Sequence, residues 1–271
     1  ANKTFWEEED IKESLLIRIN KNSEGKEWYD NPKNIYLPKI YGNENDLEKL
    51  FEGINVGFVH NCYLEQELKQ IKREIADLRN KLKSKKWKKK HKKEVKKIKT
   101  QLKQLKKEKN KKIEKWKKFL LKIGVNEIPK VEHYEGQILY KDKYPTAEER
   151  EYSTSTCNVK DWRLSKEFNE LLERSEPEKI KILLTILDHN WKNKYSKYIE
   201  MNYQWFYYNE RNKTLQSSFI RDLKEKIKVL TTKNTLARPT EVFLNKHEIC
   251  EILGDTVPYL AVEIKNEDFI K

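Results

Sequence analysis

The chain has 271 residues, 37% apolar and 38% charged, with a formal net charge of +14, a length that suits one large domain or two small ones. Its 14 Tyr, 9 Phe and 7 Trp exclude a disordered chain, which lacks the aromatics needed to build a core. Seven Gly and seven Pro exclude long flexible linkers, and no run of roughly 18 apolar residues is present to span a bilayer.

Cys62, Cys157 and Cys250 are odd in number, far apart and without a CxxC. Neither a disulfide framework nor a four-ligand zinc site follows, and a reducing cytoplasm is the expectation. The opening "ANKTFWEEED" does not read as a signal peptide. The charge is also local. Residues 64–118 hold 25 Lys/Arg and 7 Asp/Glu, a net of +18, whereas the remainder holds 33 and 37, a net of −4.

In chain order, a short strand is expected at Leu16–Ile19, followed by a polar turn and Pro32. An extended piece follows at Ile35–Leu37, then the turn "GNEN", a helix at Asp46–Phe51 and a buried strand at Val56–His60. Leu64, Leu68, Ile71, Ile75, Leu78 and Leu82 then recur at heptad spacing. The seam lapses at Lys85, Lys86, Lys89 and Lys93. It resumes at Val95, Ile98, Leu102, Leu105, Ile113 and Trp116, with Lys109 as a polar gap. Two narrow stripes interrupted once predict two helices folded back on each other as an antiparallel hairpin, with the turn at 84–92. Each helix would be about 35–40 Å long. The tip carries Lys83, Lys85, Lys86, Trp87, Lys88, Lys89, Lys90, Lys92 and Lys93 with no acid between Lys83 and Lys93. Lysines at a tip without a packing partner stay solvated at little cost, and their density also suits sequence-independent contact with phosphates.

"EKWKKFLLKIGVNEIP" predicts a helix with Trp116, Phe119, Leu120 and Ile123 inward, ending at Gly124. Residues 134–158 read as a surface loop or boundary and 159–227 as helical. Pro177 sits near a helix start and Ile180, Leu183, Leu184, Leu187 and Trp191 share one face, while "SSFIRDLKEKI" starts on a Ser cap. The aromatic run Tyr203 to Tyr208 is either core between helices or a stacking platform for bases. The end of the chain repeats the order of the beginning: a strand at Val229–Leu230, a turn, Pro239, Val242–Leu244, a helix ending "ILG", then "VPYL". Two copies of one α/β unit are expected.

The chemistry visible in the chain is sparse. Asp255, Glu263 and Lys265 satisfy the loose D…ExK spacing of metal-dependent nucleases, in which two carboxylates hold Mg²⁺ and a lysine positions water. Their bland reading is a turn aspartate and a solvated alternation. His60 and Cys62 are half of a metal site and read as a strand-end histidine and a core thiol. Asp188 and His189 read as a solvated helix face. None of the seven glycines forms a phosphate loop, so no ATP site and no cofactor is expected.

The phrases "IYLPKIYG", "FVHNCYLE", "WKKFLLKIGVNEIP", "DWRLSKEFNELLE", "VLTTKNTLARPTEVFL" and "ILGDTVPYLAVEI" resemble the repeat region downstream of the GHKL-type ATPase domain in large sacsin-like proteins. The resemblance covers nearly the whole chain outside the lysine-rich segment, which separates "YLE" from "WKKF" and so reads as an insertion. Together with the heptad spacing and the repeated order of elements, it gives the expectation of a mixed α/β, helix-rich fold of two small related α/β units joined by helices, with a projecting antiparallel coiled-coil hairpin. The divisions are 1–63 with 115–133, the insertion 64–114, a boundary at 134–158, a helical region at 159–227, and a second unit at 228–271 that stops short of a full copy. The implied role is a non-catalytic scaffold of a larger ATPase, chaperone-like or in nucleic-acid-directed defence, whose partners are other domains of the parent or other proteins. A nucleic-acid-binding module acting through the lysine tip and a metal-dependent nuclease are the alternatives.

Overall fold

The computed structural model describes residues 14–20, 28–83, 91–139, 156–207 and 209–270. The fold is mixed α/β and divides into two compact units. One comprises the chain up to Glu48 with Asn55–Ile128, and the other comprises Lys49–Ile54 with the chain from Pro129 onward.

The first unit is built on four short strands, β1 (Ile17–Asn20), β2 (Trp28–Asp30), β3 (Ile35–Tyr36) and β4 (Gly57–Val59), in the order β2-β1-β4-β3. β1 runs antiparallel to β2 and β4, and β3 runs parallel to β4. Pro32 opens a single 3-10 turn before β3, capped by the Asn31 side chain, which accepts from Lys33 N. A proline suits that place because its fixed φ fits and its missing N–H would have no partner there. Gly57 is required by close packing: a Cβ there would lie 2.9 Å from Ile19 Cδ1 and 3.1 Å from Ile35 Cγ2. Asn126 adds to the free edge of β3 as a parallel bridge to Tyr36.

After the short helix α1 (Leu47–Leu50), two long helices follow, α2 (Cys62–Lys81) and α3 (Lys92–Lys122). Their 20 and 31 residues give lengths of about 30 and 46 Å. Near their shared base Tyr63 lies against Trp116 at 5.8 Å between ring centroids. Trp116 Nε1 donates to Glu67 Oε1 at 3.1 Å, and Lys112 approaches Glu67 at 3.8 Å. Leu64, Leu68, Ile71 and Ile75 of α2 join Leu120 of α3 and Ile17, Ile19, Ile35, Leu37, Tyr41, Val59 and Val125 in one apolar cluster. α3 is one unbroken helix, so the expected boundary at residue 114 falls inside it. Ile113, placed in the insertion by its sequence, packs at 3.1 Å from where a side chain on Gly42 would begin. Phe119, expected inward, is half-exposed and stands edge-on to Trp116.

In the second unit four longer strands form an antiparallel sheet in sequence order: β5 (Val131–Leu139), β6 (Thr156–Leu164), β7 (Glu200–Tyr207) and β8 (Asn209–Gln216). This corrects two sequence expectations. Residues 134–139 and 156–158, read as loop, are strand, and so are 200–207 and 209–216, read as part of a helical region. The period-two signal was weak because the buried positions of β6 are Val159, Asp161 and, out of step with them, Leu164 at the strand end, with a carboxylate in the middle. The outward positions pair charges, with Lys160 reaching Glu135 at 3.0 Å directly across the ladder. The unit's helices are α4 (Lys166–Arg174), α5 (Pro177–Asn190), which lies beside the strand at Val229–Leu230, and α6 (Ser218–Lys226), which stands against β6. Ser165 and Ser217 cap α4 and α6 by accepting from Phe168 N and Ile220 N. Ile180, Leu183, Leu184, Leu187 and Trp191 are buried as their spacing predicts. α5 loosens into a π turn at Trp191–Tyr195, which turns the Tyr195 ring onto Phe219 at 5.9 Å in a near-parallel stack.

The chain then forms β9 (Val229–Leu230) and β10 (Leu236–Ala237), antiparallel to each other, a 3-10 turn at Pro239–Glu241, and helix α7 (His247–Leu253). Thr231 bridges Leu260 antiparallel and Phe243 bridges Tyr259 parallel. Helix α8 (Glu267–Ile270) follows.

Candidate functional site

The densest concentration of one chemistry is the basic face of α2 and α3. Lys69, Lys72 and Lys83 on the α2 side and Lys92, Lys93, Lys96, Lys97, Lys99 and Lys103 on the α3 side are exposed. Lys109, which interrupts the apolar seam, is half-buried, as a lysine is when its aliphatic stem lies along apolar neighbours and its ammonium stays wet. The central tip residues Lys85, Lys86, Trp87, Lys88, Lys89 and Lys90 lie outside the described residues. Acidic side chains temper the charge mainly toward the base, where Glu67 pairs with Lys112 and Glu114 with Lys118 at 3.7 Å. A row of exposed lysines presents point charges without the fork geometry of arginine, which suits phosphates met in any register.

All three nuclease candidates are exposed. Glu263 and Lys265 are exposed and meet at 3.8 Å as a surface pair. Asp255 lies in an exposed 3-10 turn after α7. Among the described residues no group of three or more His, Cys, Asp and Glu is placed to hold a metal ion. His60 Nδ1 accepts from Cys62 N at 3.0 Å, a local turn at the start of α2. Of the aromatic run, Tyr203 to Tyr207 lies in β7, and the side chains of Tyr203 and Trp205 to Tyr208 lie outside the described residues.

Three polar side chains matter more than the sequence suggests. Asp188, read as part of a solvated helix face, is buried and accepts from Lys265 N and Asn266 N at 3.0 and 2.7 Å. It pins the segment that carries the nuclease candidates, and its role is therefore structural. Asp161 is 1% exposed and accepts from Ser218 N at 2.9 Å and from Trp162 N at 2.8 Å. Arg163 Nε lies 3.7 Å from it. A carboxylate at the first turn of α6 meets the positive end of the helix dipole, so it holds the helix to the sheet. Asn126 N donates to Ile35 O, and its side-chain amide donates to Lys33 O and Ile35 O, both at 3.0 Å. That fastens the strand after α3 to β3. No periodicity marks any of the three, because each acts on backbone groups brought near only by folding.

No helix among the described residues is long and apolar enough to cross a membrane. No protein-family model, curated protein or solved structure matches this chain.

Proposed function

We propose that this chain is a non-catalytic scaffold module of a larger sacsin-like ATPase, built from two copies of one small α/β unit, with α2 and α3 forming a projecting antiparallel coiled-coil hairpin. The observation that carries the reading is a shared pairing pattern. In the first unit Pro32 opens a 3-10 turn, Tyr36 pairs parallel with Phe58, and Ile19 pairs antiparallel with Val59. In the last stretch Pro239 opens the turn, Phe243 pairs parallel with Tyr259, and Thr231 pairs antiparallel with Leu260. The backbone bonds repeat in step: Asn34 N to Asn31 O matches Glu241 N to Arg238 O, both 2.9 Å, and His60 N to Arg18 O matches Ala261 N to Leu230 O. Gly53 and Gly254, both at positive φ, each precede the paired aromatic by the same spacing. Tandem units of this kind stack on their neighbours and present extended binding surfaces.

The test is incubation of the purified chain with Mg²⁺-ATP and separately with supercoiled plasmid and Mg²⁺ or Mn²⁺. The expected result is no shift in melting temperature with ATP and no nicking. A reproducible ATP-dependent stabilisation, or cleavage lost on Glu263→Gln, would overturn the reading.

The lysine density supports a second reading, sequence-independent contact of the hairpin with nucleic-acid phosphates. The net +18 of residues 64–118 against −4 for the remainder favours it.

A further inference from the structure

We infer that one side of the α2–α3 arm is an interface for nucleic acid, whose phosphate backbone lies lengthwise along the helices. The inference deepens the second reading above and rests on it, and on α2 and α3 packing as an antiparallel pair. At their base Glu67 meets Lys112 and Trp116, and Leu102 and Leu105 pack against the cluster that holds Ile71 and Ile75. Carried outward in that register, Ile75 lies opposite Leu105 and Leu78 opposite Leu102. In an antiparallel pair the residues beside the seam on one side come from equivalent heptad places of both helices. On one side these are Lys69, Lys72 and Arg79 of α2 with Lys92, Lys96, Lys99, Lys103 and Lys106 of α3, all exposed. The other side holds every acid from Glu67 to Glu108, namely Glu67, Glu74, Asp77, Glu94 and Glu108. Lys81, Lys97, Lys111 and Lys115 lie among them. One side thus carries eight positive charges and no negative one, and the other four positive and five negative.

Holding the helices together does not call for this sorting. In the same register Lys72 faces Lys106 and Arg79 faces Lys99. Along α3, Lys92, Lys96, Lys99, Lys103 and Lys106 follow one another three or four residues apart, a spacing at which like charges repel. Among the described residues none of the eight is in an ion pair. A polyanion laid on this side removes a repulsion that the helices alone retain. The row on α3 is about 21 Å long, a length over which a duplex presents roughly 12 phosphate charges. Along the described helices between Glu67 and Glu108, this side has no aromatic residue and only Ala76 as an apolar one. It therefore offers neither a stacking platform for bases nor an apolar face to enter a lipid surface. Charge is what remains, and it holds nucleic acid by the backbone, whatever the sequence.

The test measures binding of the intact chain to a fluorescent DNA duplex of about 20 base pairs, longer than the face, between about 50 and 200 mM salt. Two variants of equal net charge are compared. One changes Lys72, Lys99, Lys103 and Lys106 to glutamine on the basic side. The other changes Lys81, Lys97, Lys111 and Lys115 to glutamine on the mixed side, and all eight positions are exposed. The first variant should bind about tenfold more weakly or worse at the lower salt, with the log–log salt slope reduced by about three to four. It should melt no lower than the parent, because like-charge pairs are removed. The second should stay within about threefold of the parent, with the slope unchanged. Arginine at the first four positions should preserve binding, since it keeps the charge. No binding by the parent at about 50 mM salt would sink the phosphate reading and the inference with it. Binding that both variants lose equally, or that neither loses, would keep that reading and overturn the one-sided interface. A loss shared by the arginine variant would overturn it too, because charge would not be the cause.

Discussion

Tyr41 shows how one side chain ties the first unit together. It is fully buried, and its hydroxyl donates to His60 O at 2.6 Å. Burial pushes its phenol far above the ordinary tyrosine value, with the neighbouring Cys62 adding to the shift. An unfolded tyrosine ionises near pH 10. The folded chain thus keeps a proton that the unfolded chain loses, and the stabilisation is present below about pH 10 and fades as pH rises toward the folded value. Tyr41→Phe should cost about 1 kcal/mol at pH 8, the net worth of a buried hydrogen bond. The gap to the parent chain should narrow at about pH 10.5. Urea unfolding of both proteins at the two pH values measures it, and an equal gap at both would refute the account. Tyr41 lies beyond the extended piece expected at Ile35–Leu37, in a 3-10 turn, and its partner, a carbonyl 19 residues away, was not legible in the sequence.

At the scale of elements, α2 and α3 were the most legible because a heptad repeat is local: each apolar residue reports on the helix that carries it. What the repeat did not report is where the body ends and the arm begins. Ile113 belongs to the same stripe as Leu102 and Leu105, yet it packs beside Gly42. The cut that frees the arm therefore lies further out. Replacing residues 79–100, beyond Ile75, Leu102 and Leu105 of the apolar cluster, with a four-residue glycine-rich loop, a length suited to antiparallel helices, should leave a folded body. Its melting temperature should fall within about 5 °C of the parent. Ile113→Ala in the full chain should lose about 1–2 kcal/mol, below the usual range for a fully buried isoleucine because Ile113 is half-buried. Circular dichroism melts of both variants decide the matter: unfolding of the shortened chain would mean that the distal arm carries part of the core. β5 to β8 were the least legible elements. Their ladder bonds join residues remote in sequence, and Asp161 breaks the alternation that would have announced β6.

For the whole molecule, the uneven charge makes a prediction that no single residue makes. If the arm meets phosphates, each neutralised phosphate releases condensed counterions, and affinity falls steeply with salt. Gel shifts with duplex DNA, single-stranded DNA and RNA should show similar retardation at about 50 mM salt and little at about 200 mM. Changing Lys85, Lys86, Lys88, Lys89 and Lys90 to glutamate should remove most of it while the melting curve stays unchanged, because none of the five continues an intact apolar seam. No retardation at the lower salt would leave the arm as a lever for protein contact. A shift unchanged at the higher salt would point to base stacking by Trp87 or by the aromatics of β7 in place of charge.

The sequence by itself determined the mixed fold class, the two long helices and their basic face, the helices α4 to α6 and the recurrence of proline, strand and helix at the two ends. All of these rest on neighbours within a few residues, where spacing and residue type are sufficient. Only the tertiary structure decided that β5 to β8 form a sheet and that Asp161, Asp188 and Asn126 are anchors. Each of those depends on a backbone group delivered from far along the chain, and a hydrogen bond to a distant carbonyl or amide leaves no mark on the residues around it.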